Sequence, residues 1–444
     1  MSDPSYLRRR WLLLAIVLVL WGLITHSSYI GSGDEPHYLA ATHSLAFDLD
    51  LDLSNNYGPA EPLISGGALE AGAHVREGRH GVLRPVHDVG MPLLFAPYAR
   101  VMAPLVSWAA ARIPDDAMRR LRLTPSTLYR HLLSSAMILI ATLLALVMFD
   151  ALACVTGSRR VAFWTALLIS LSPPLLIHSV LFFTEVVSAV LCLVAFRVIA
   201  IDRGGSRWAW AAAGAATGLL LLVHVRNAGL ILGLTGLAAG ELWRRRAGHD
   251  ALAFTSAAGA LVLLRTAINV RFWGTVVTTP HARPGEWTGW FDTMATAGLR
   301  LGALMLDQEF GLLVYAPVFL IAAAGAFSLA RENAPLLLKI SAVVAGYLLV
   351  VALPITNVHG WAGGWSPVAR FMVPIVPLLA LCVGAGVRSM PRVPLAAIVA
   401  AQIGISAYGW QNPKNLWNDG DGVAALCTRG GLRICSYLPS FVNR

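Results

Sequence analysis

Eleven apolar runs, joined by short connections rich in arginine, constrain the fold of this chain more than any other feature. The first run lies in YLRRRWLLLAIVLVLWGLI, and the others cover residues 132–155, 161–177, 186–201, 208–223, 228–242, 251–272, 312–329, 336–353, 371–387 and 393–408. These runs approach the roughly 20 apolar residues of a membrane-spanning helix. Apolar residues make up 57% of the 444 and charged residues 13%, which is more apolar surface than a soluble core could bury. The sequence therefore predicts an all-α polytopic membrane protein with about 11 transmembrane helices.

The basic residues predict an orientation in the membrane. Lysine and arginine are enriched in cytoplasmic loops of membrane proteins. With Arg8, Arg9 and Arg10 on the cytoplasmic side of an uncleaved first span, eleven spans place the C-terminus in the periplasm. Five later clusters then fall on the cytoplasmic side: Arg159/Arg160, Arg203/Arg207, Arg244/Arg245/Arg246, Arg331/Lys339 and Arg388/Arg392. The predicted location is a bacterial inner membrane, with a cytoplasmic N-terminus and a periplasmic C-terminus.

Residues 89–111 are apolar enough to cross the membrane, but they contain Pro92, Pro97 and Pro104. A further crossing there would move all five basic clusters to the outside, against the positive-inside rule. We therefore predict that this segment is interfacial or re-entrant, although the arginines that follow it then remain on the outer face.

This topology gives three external segments, at residues 31–130, 274–308 and the C-terminal tail 410–444. Residues 1–409 form the predicted membrane-embedded domain. The cytoplasmic loops are only a few residues long and the sequence contains no GxxxxGK[ST] phosphate-binding loop, which argues against an ATP-driven pump. The net charge of +10 lies in clusters between apolar runs; it is a topology signal and predicts no nucleic-acid partner.

Two adjacent carboxylates, Asp34 and Glu35, come just after the first span and precede Pro36. A short interfacial helix that begins at Pro36 would place both near its positive N-terminal end. Helix N-capping is the structural alternative. Acidic groups beside hydrocarbon are unfavourable and tend to be kept for ion, proton or substrate work, so we expect Asp34 and Glu35 to be functional.

The stretch FDLDLDL alternates Asp48, Asp50 and Asp52 with leucines. An extended conformation would place the three carboxylates on one face, where a divalent cation could bind. The favoured interpretation is a solvated loop edge whose leucines rest on the membrane domain, because oxygen-ligand sites need more ligands than this stretch supplies. The sequence thus requires no cofactor and leaves a divalent cation open.

Further ionisable residues lie at the predicted outer ends of spans: Glu185, Arg226, Arg265, Arg271, Asp307, Glu309 and Arg370. Such groups usually face a bundle interior or a wet cavity. Structural ion pairs and snorkelling to the surface are the alternatives for each of them. Several arginines that converge beside carboxylates at the outer leaflet would suit a lipid phosphate held near a general base.

External histidines and cysteines give weaker signals. Four histidines fall in external segments, without HExxH or another zinc-binding spacing: His37, His87, His281 and His359. We therefore expect hydrogen-bonding or structural roles for most of them, and the sequence leaves metal ligands open. Cys427 and Cys435 bracket TRGGLRI in the tail; a disulfide across this glycine turn is the favoured interpretation, and two unpaired thiols are the alternative.

Several short motifs share one resemblance. They are GDEPHYL, FDLDLDLSNNY, HDVGMPLLFAPY, SRRVAFWTALLISLSPPLL, DQEFGLLVYAPVFLI and GGWSPVARFMVPIVPLLAL. Together they resemble the GT-C superfamily of membrane glycosyltransferases, and within it bacterial relatives of the protein O-mannosyltransferases and of the lipid A aminoarabinose transferase. The resemblance extends along most of the chain up to about Leu381. The large C-terminal periplasmic domain of the second type and the MIR insertion of the first are absent.

The resemblance implies a multi-helix bundle with an acidic residue in a long first periplasmic loop, a polyprenyl-phosphate sugar as donor, and inversion at the anomeric carbon. It makes Asp34 the candidate base and Glu35 its acidic neighbour. The candidate contacts of the donor phosphate are Arg370, Arg226 and Arg271. The candidates for substrate binding are His37, Tyr38, His87, Asp88, Glu185, Asp307, Glu309 and His359.

The chemistry of such a donor agrees with these residue types. A sugar on polyprenyl phosphate has an activated leaving group, so transfer needs a carboxylate to take the acceptor proton and cations to stabilise the phosphate. The predicted acceptor is a hydroxyl of an envelope glycan, lipid or protein, and membrane lipids surround the protein. A transporter or flippase for a lipid-linked or anionic substrate is the alternative, and it should bury charges near the midplane on broken helices. A non-catalytic scaffold with the same fold is a third hypothesis.

Overall fold

The fold is given by a computed structural model that describes residues 4–24, 33–202, 205–276, 290–353, 362–364, 366–418, 422–428, 430–431 and 437–441. Nearly all secondary structure in these ranges is α-helical: α1 Pro4–Ile24, α2 Glu35–Phe47, α3 Gly90–Ala110, α4 Asp115–Arg120, α5 Pro125–Thr156, α6 Arg159–Ser170, α7 Leu175–His178, α8 Thr184–Phe196, α9 Arg207–Val223, α10 Ala228–Arg245, α11 Gly248–Trp273, α12 Trp290–Leu306, α13 Leu312–Tyr315, α14 Ile321–Glu332, α15 Ala334–Ala352, α16 Val376–Ser389, α17 Arg392–Gln411 and α18 Ala425–Thr428. Two short strands, β1 Val75–Glu77 and β2 Leu83–Pro85, form a hairpin. The predicted all-α polytopic membrane fold is confirmed.

Every predicted apolar run is helical over most of its length, because these runs are rich in helix formers and the bilayer forces their backbone groups to bond internally. Three runs are interrupted where prolines remove backbone donors. α6 and α7 are separated at Pro173 and Pro174, the 3₁₀ segment Pro317–Leu320 separates α13 from α14, and the 3₁₀ segment Arg370–Ile375 precedes α16. A π-helical turn, Arg197–Ile201, extends α8.

Seven of the described helices are long and apolar enough to cross a membrane, by length and composition alone. They are Gly90–Ala110, Pro125–Thr156, Thr184–Ile201, Gly248–Trp273, Ala334–Ala352, Arg370–Ser389 and Arg392–Gln411. Other predicted spans are shorter or charged at one end: α6 and α14 have 12 residues each, and α1 begins with three arginines. The count of about eleven spans therefore stays a prediction.

Helix α3 covers the segment that was predicted not to cross the membrane. It is one continuous helix of 21 residues despite Pro97 and Pro104, and it is long enough to span. However, Arg100 in its middle donates a hydrogen bond to the Ala46 carbonyl (2.5 Å), directly before the polar loop that begins at Asp48. This contact favours an interfacial position along α2, and the crossing itself stays untested.

Charged residues gather at two opposite ends of the bundle. At one end, which we call the Arg10 end, Asp150 of α5 lies 3.5 Å from Arg10 and 3.3 Å from Arg197. Glu241 of α10 also has basic partners, namely Arg244, Arg245 and Lys339. Helix α8 runs from Glu185 at the other end, which we call the Asp34 end, to the Arg197 turn. Arg244, Arg245 and Lys339, which belong to clusters that were predicted to be cytoplasmic, thus pair with Glu241 near the C-terminal end of α10.

The β1–β2 hairpin lies in the first long loop and was not predicted from the sequence. Val75 pairs with Pro85, and the Val86 amide donates to the His74 carbonyl (3.1 Å), so His74 and His87 flank the open end of the hairpin. The hairpin rests on α11, where the Arg84 guanidinium lies 4.5 Å above the Phe272 ring. It therefore holds two histidines against the Asp34 end of the bundle.

The FDLDLDL stretch is an irregular loop, so the extended conformation that would have aligned its three carboxylates is not formed. Leu49 has a left-handed backbone (φ 61°) that interrupts the alternation, and its side chain is 74% exposed. Leu51 and Leu53 are buried, as expected for leucines that rest on the membrane domain. The carboxylates bond to groups of the loop itself: Asp48 accepts from Asn56 Nδ2 (3.0 Å), Asp50 from the Asp52 amide (2.9 Å) and Asp52 from the Ser54 amide (3.1 Å). They cap turns separately and do not converge on a shared ligand position.

The predicted second external segment, residues 274–308, contains the additional helix α12. Arg300 of this helix is buried and donates to the Ala352 carbonyl (3.2 Å) at the end of α15. Residues 277–289 lie outside the described ranges. The segment is therefore partly helical and packed on the bundle, which the sequence did not predict.

The described part of the C-terminal tail packs on the segment that carries Arg370. The Val368 amide donates to the Leu416 carbonyl (3.0 Å), the Asn418 amide donates to the Ser366 carbonyl (3.1 Å), and Leu416 is buried. Cys427 is disulfide-bonded, and its predicted partner Cys435 lies outside the described residues. The tail thus supports the position of Arg370.

Candidate active site

Asp34 is the N-cap residue of α2, but its side chain makes no capping hydrogen bond. Its carboxylate instead accepts a hydrogen bond at Oδ2 from Nη2 of Arg370, at 2.7 Å. The side chain of Asp34 is 27% exposed, whereas that of Arg370 is 6% exposed. The structural alternative of N-capping therefore does not describe this carboxylate, which takes part in an ion pair with one open side.

Arg370 joins Asp34 to a second carboxylate. Its Nε donates to Oε1 of Glu185 at 2.6 Å, its Nη1 donates to the Gly363 carbonyl at 3.3 Å, and the guanidinium lies 4.5 Å above the Phe183 ring. A planar guanidinium can serve several acceptors at once in a fixed geometry. Arg370 is therefore engaged on all three nitrogens by the protein itself.

Arg226 is the second cation at Glu185, with looser contacts. Its Nη1 lies 3.6 Å from Glu185 Oε1, and its guanidinium lies 3.7 Å above the Phe371 ring. Arg226 lies in the 3₁₀ turn Val225–Asn227 between α9 and α10, and its side chain is 22% exposed, compared with 6% for Arg370. Of these two arginines, Arg226 has more capacity to bind an incoming anion.

Three buried polar atoms in this region have no hydrogen-bond partner among the described residues: Tyr38 Oη, Tyr347 Oη and His178 Nε2. The two hydroxyls lie close enough to Glu185 and Arg370 to interact with their charges. A buried polar group without a partner is unfavourable, so such groups usually meet a water or a ligand. The Tyr38 and Tyr347 hydroxyls are thus available to bind a polar substrate group.

Glu35 is fully buried and has different partners from Asp34. Its Oε1 accepts a hydrogen bond from the Phe182 amide (3.0 Å), and Oε2 lies 4.0 Å from Nη1 of Arg130. These contacts fasten the start of α2 to the segment before α8 and to α5. The geometry favours a positioning role for Glu35 over direct catalysis.

Three histidines surround the open side of Asp34. His74 Nδ1 lies 3.0 Å from His87 Nε2 and 4.0 Å from Asp34 Oδ1. The His37 ring stacks on the His74 ring with centroids 3.5 Å apart, and His37 Nδ1 lies 3.1 Å from the Tyr57 hydroxyl. The predicted candidates His37 and His87 are therefore at the site. His74 was missed, and the hairpin-like sequence HVREGRHGVLRPVH was the only local signal for it.

The charges of the site depend on burial and on these neighbours. Burial alone would raise the pKa of Asp34, but the Arg370 guanidinium, with His87 and His74, outweighs it and holds this pKa well below its usual range. Burial lowers the pKa of His37 to about 3, and it also lowers the pKa of His74. At neutral pH, Asp34 is therefore charged and His37 and His74 are neutral.

Asp88 binds structural partners beside the site. Its Oδ2 accepts from the Val225 amide (2.8 Å) and its Oδ1 pairs with Arg265 (3.1 Å). Burial raises the pKa of Asp88, and the Arg265 guanidinium opposes this rise. Asp88 thereby links the first loop to α11 and to the turn that carries Arg226, which indicates an indirect role for this substrate-binding candidate.

The remaining candidates have no described contact with Asp34 or lie outside the described residues. Asp307 accepts from the amides of Glu309 (2.8 Å) and Phe441 (2.7 Å), and Glu309 Oε2 accepts from the Gly422 amide (2.8 Å). Both carboxylates therefore bind the C-terminal segments. Arg271 is exposed in the last turn of α11, and no described ion pair or hydrogen bond links it to Arg370. His281 and His359 lie outside the described residues.

Comparisons with known proteins address the fold. No family model and no curated protein matches this chain. Among solved structures, the chain is similar to ArnT from Cupriavidus metallidurans in the apo state, a GT-C lipid A aminoarabinose transferase, with a TM-score of 0.52 and 14% sequence identity. The similarity covers 90% of this chain and 63% of the ArnT chain, so this chain spans less than two thirds of that relative. The protein thus has a GT-C-type polytopic membrane fold, and its activity has to be argued from the site.

Proposed function

We propose that this protein is a membrane glycosyltransferase that transfers a sugar from a polyprenyl-phosphate donor to an acceptor hydroxyl at the periplasmic side, with inversion. The observation that carries the proposal is the ion-pair network of Asp34, Arg370, Glu185 and Arg226 at one end of a GT-C-type bundle. This reaction needs a carboxylate that an acceptor can reach and an arginine that can still bind an anion, and Asp34 and Arg226 have these properties.

Asp34 is the proposed general base. Its Oδ2 is held by Arg370, so the orientation of the carboxylate is fixed, while Oδ1 faces the histidines and the open side of the site. An acceptor hydroxyl beside Oδ1 would attack the anomeric carbon from the face opposite the phosphate and give its proton to Asp34. Because the pKa of Asp34 is low, this base is ionised and ready at neutral pH, and it acts late, as the attacking oxygen becomes acidic.

Arg226 and Arg370 are the proposed stabilisers of the leaving phosphate. As the bond between the anomeric carbon and the phosphate oxygen breaks, its electron pair moves to the phosphate and the negative charge there increases. Arg226 can turn from its 3.6 Å contact with Glu185 toward this charge, and the unpartnered Tyr38 and Tyr347 hydroxyls can donate to the same oxygens. Glu185 is then a positioning residue, because it holds both arginines at once.

An apolar groove supports a lipid-linked donor. The groove has a volume of about 760 Å³ and runs between α6, α16 and α17; its lining includes Trp164, Leu168, Leu176, Val383, Ile403 and Trp410. Helix α7, which contributes Leu176, packs beside the Arg370–Ile375 segment. A hydrocarbon chain in this groove would be sheltered from water and would end near the ion-pair network of Asp34, Arg370, Glu185 and Arg226.

The transporter hypothesis fits the charge distribution less well. A translocation path needs polar groups along the depth of the membrane, typically on broken helices at the midplane. The described ion pairs of this protein instead concentrate at its two ends, with Asp34, Glu185 and Arg370 at one end and Asp150 and Glu241 at the other. This distribution favours chemistry at one membrane face.

The test is a transfer assay on the purified full-length chain in lipid nanodiscs. A panel of polyprenyl-phosphate sugars is supplied with envelope extract as acceptor, and released polyprenyl phosphate is measured by mass spectrometry. Asp34→Asn should reduce release by about 10²- to 10⁴-fold, the usual contribution of a general base. Asp52→Asn, which alters a half-buried carboxylate of the same loop, is the matched control and should retain activity. Near-parental activity of Asp34→Asn would reject the base, and no release from any donor by the folded parent would reject the function.

A further inference from the structure

We propose that Asp34, His74 and His87 form a binding site for a divalent transition metal ion, for which zinc is the best match. One ligand atom from each residue lies within 4.8 Å of the others. His74 Nδ1 and His87 Nε2 are 3.0 Å apart, and His74 Nδ1 is 4.0 Å from Asp34 Oδ1. These three atoms are therefore close enough together to share one ion.

The spacing is close to what a bound ion requires. In a tetrahedral site with Zn–N and Zn–O distances of about 2.0–2.2 Å, neighbouring ligand atoms lie about 3.3 Å apart. The His74 and His87 nitrogens are slightly closer than this. Asp34 Oδ1 is less than 1 Å too far from His74 Nδ1 and lies within 4.8 Å of His87 Nε2. A bound ion therefore requires Asp34 Oδ1 to move closer to the two histidine nitrogens.

The surroundings hold the three ligands in place. The hairpin fixes His74 and His87 side by side through the bond from the Val86 amide to the His74 carbonyl. The His37 ring stacks on His74, and the Tyr38 ring lies 4.7 Å from the ring of His87. Arg370 occupies Oδ2 of Asp34, which directs Oδ1 to the histidines. Such supporting contacts orient ligands and raise metal affinity.

The donor set also indicates what the ion would do. The described residues supply two histidines and one carboxylate, which is the number of protein ligands in catalytic zinc sites, where a fourth position stays open. His74 is 31% and Asp34 27% exposed, so the ion and a ligand can enter from this side. The open position would take an oxygen of water or of the acceptor. This last step rests on the proposed transferase function, whereas metal binding rests on the geometry alone.

A hydrogen bond between the two imidazoles would explain their 3.0 Å separation without a metal, so binding has to be measured directly. The full-length chain is purified with a tag that lacks histidine, treated with a chelator and titrated with Zn²⁺ against a chromophoric competitor. We expect a single equivalent to bind, and Co²⁺ to give the visible absorption of a four-coordinate site. His74→Ala and His87→Ala should weaken zinc binding by about 100-fold or more, because loss of a supporting contact alone costs 10- to 100-fold.

The matched control is His80→Asn, which changes an exposed histidine at the tip of the same hairpin, where an asparagine tolerates the positive φ of 65°. It should bind zinc like the parent. Thermal unfolding provides the second readout: zinc should stabilise the parent and the control but not His74→Ala or the milder His74→Gln. Failure of zinc to bind the stripped parent, or equal binding by parent and His74 variants, would overturn the proposal.

The two proposals fail separately. Zinc binding by a folded protein that transfers no sugar from any donor would reject the transferase function and keep the metal site. Sugar transfer by a chelator-treated parent that binds no zinc would reject the metal site and keep the function.

Discussion

Replacing Arg370 by lysine tests the central feature of the site, because it keeps the positive charge and removes the planar guanidinium that donates to two carboxylates at once. The guanidinium bonds Asp34 at 2.7 Å and Glu185 at 2.6 Å from two different nitrogens. An ammonium is a single point donor and cannot reach both carboxylates in the same geometry. Lysine should therefore keep one charge-assisted hydrogen bond and lose the other, and Asp34 should lose its fixed orientation.

The size of the effect follows from the lost bond. A hydrogen bond to a charged group is worth about 1.5–3 kcal/mol, which corresponds to a loss of about 10- to 150-fold in turnover if it is expressed in the transition state. Arg370→Ala would leave two carboxylates without their main cation and should cost about 3–5 kcal/mol of stability, so it is the less informative variant.

The assay is release of polyprenyl phosphate, with kcat and KM determined separately and thermal unfolding measured for each variant. Arg300→Lys is the control, because Arg300 is also buried but its described hydrogen bond goes to a backbone carbonyl, that of Ala352, and not to a carboxylate. Arg370→Lys should fold like the parent, bind donor, and lose kcat. Turnover within threefold of the parent would show that turnover does not need the two-sided donation by the guanidinium, and Arg370 would then be a structural cation only.

Two further predictions concern pH and topology. The folded-state pKa of Asp34 is depressed, so the stability from its ion pair is present above the unfolded pKa of about 3.9 and is lost only as the pH falls through the lower folded pKa. We therefore expect kcat/KM to show no acidic limb from Asp34 between pH 8 and about 5. An acidic limb with its midpoint above pH 5 would contradict this. A reporter enzyme that is active only in the periplasm should be active when fused after Arg444, and inactivity there, with activity of a cytoplasmic reporter, would reverse the side assigned to every loop after α3.

The positions of the helices could be predicted from the sequence, because hydropathy acts locally and the bilayer enforces internal hydrogen bonding. For example, the apolar run 208–223 became α9 at Arg207–Val223, with the boundary set by the basic residue and by the Ser206 cap. The grouping of Asp34, Glu185, Arg226 and Arg370 could also be predicted, because charged residues at the ends of spans are unfavourable beside hydrocarbon and usually face a shared polar region of the bundle.

The pairing within that group could not be predicted. Arg370 bonds to Asp34, which is 336 positions away in the sequence, and to Glu185, which is 185 positions away. Such partners depend on how the helices pack and not on any local pattern. The same limit explains Asp307, whose charge suggested a substrate role but whose partner is the amide of Phe441. His74 was missed for a related reason, because only the hairpin brings it back to Asp34.

Charge balance connects the metal site to the proposed reaction. At the Asp34 end of the bundle, the carboxylates of Asp34, Glu35, Asp88 and Glu185 form described ion pairs with four guanidinium groups, those of Arg130, Arg226, Arg265 and Arg370. These described pairs are neutral together, and neutrality favours their burial. A donor phosphate adds negative charge that the arginines can stabilise only by weakening their existing pairs. A divalent cation at Asp34, His74 and His87 would restore the balance, because it compensates the Asp34 carboxylate and frees Arg370 to share its charge with the phosphate. If this is correct, donor affinity should rise when zinc is added to the chelated parent and stay unchanged in His74→Gln, a coupling that neither the arginines nor the histidines would give alone.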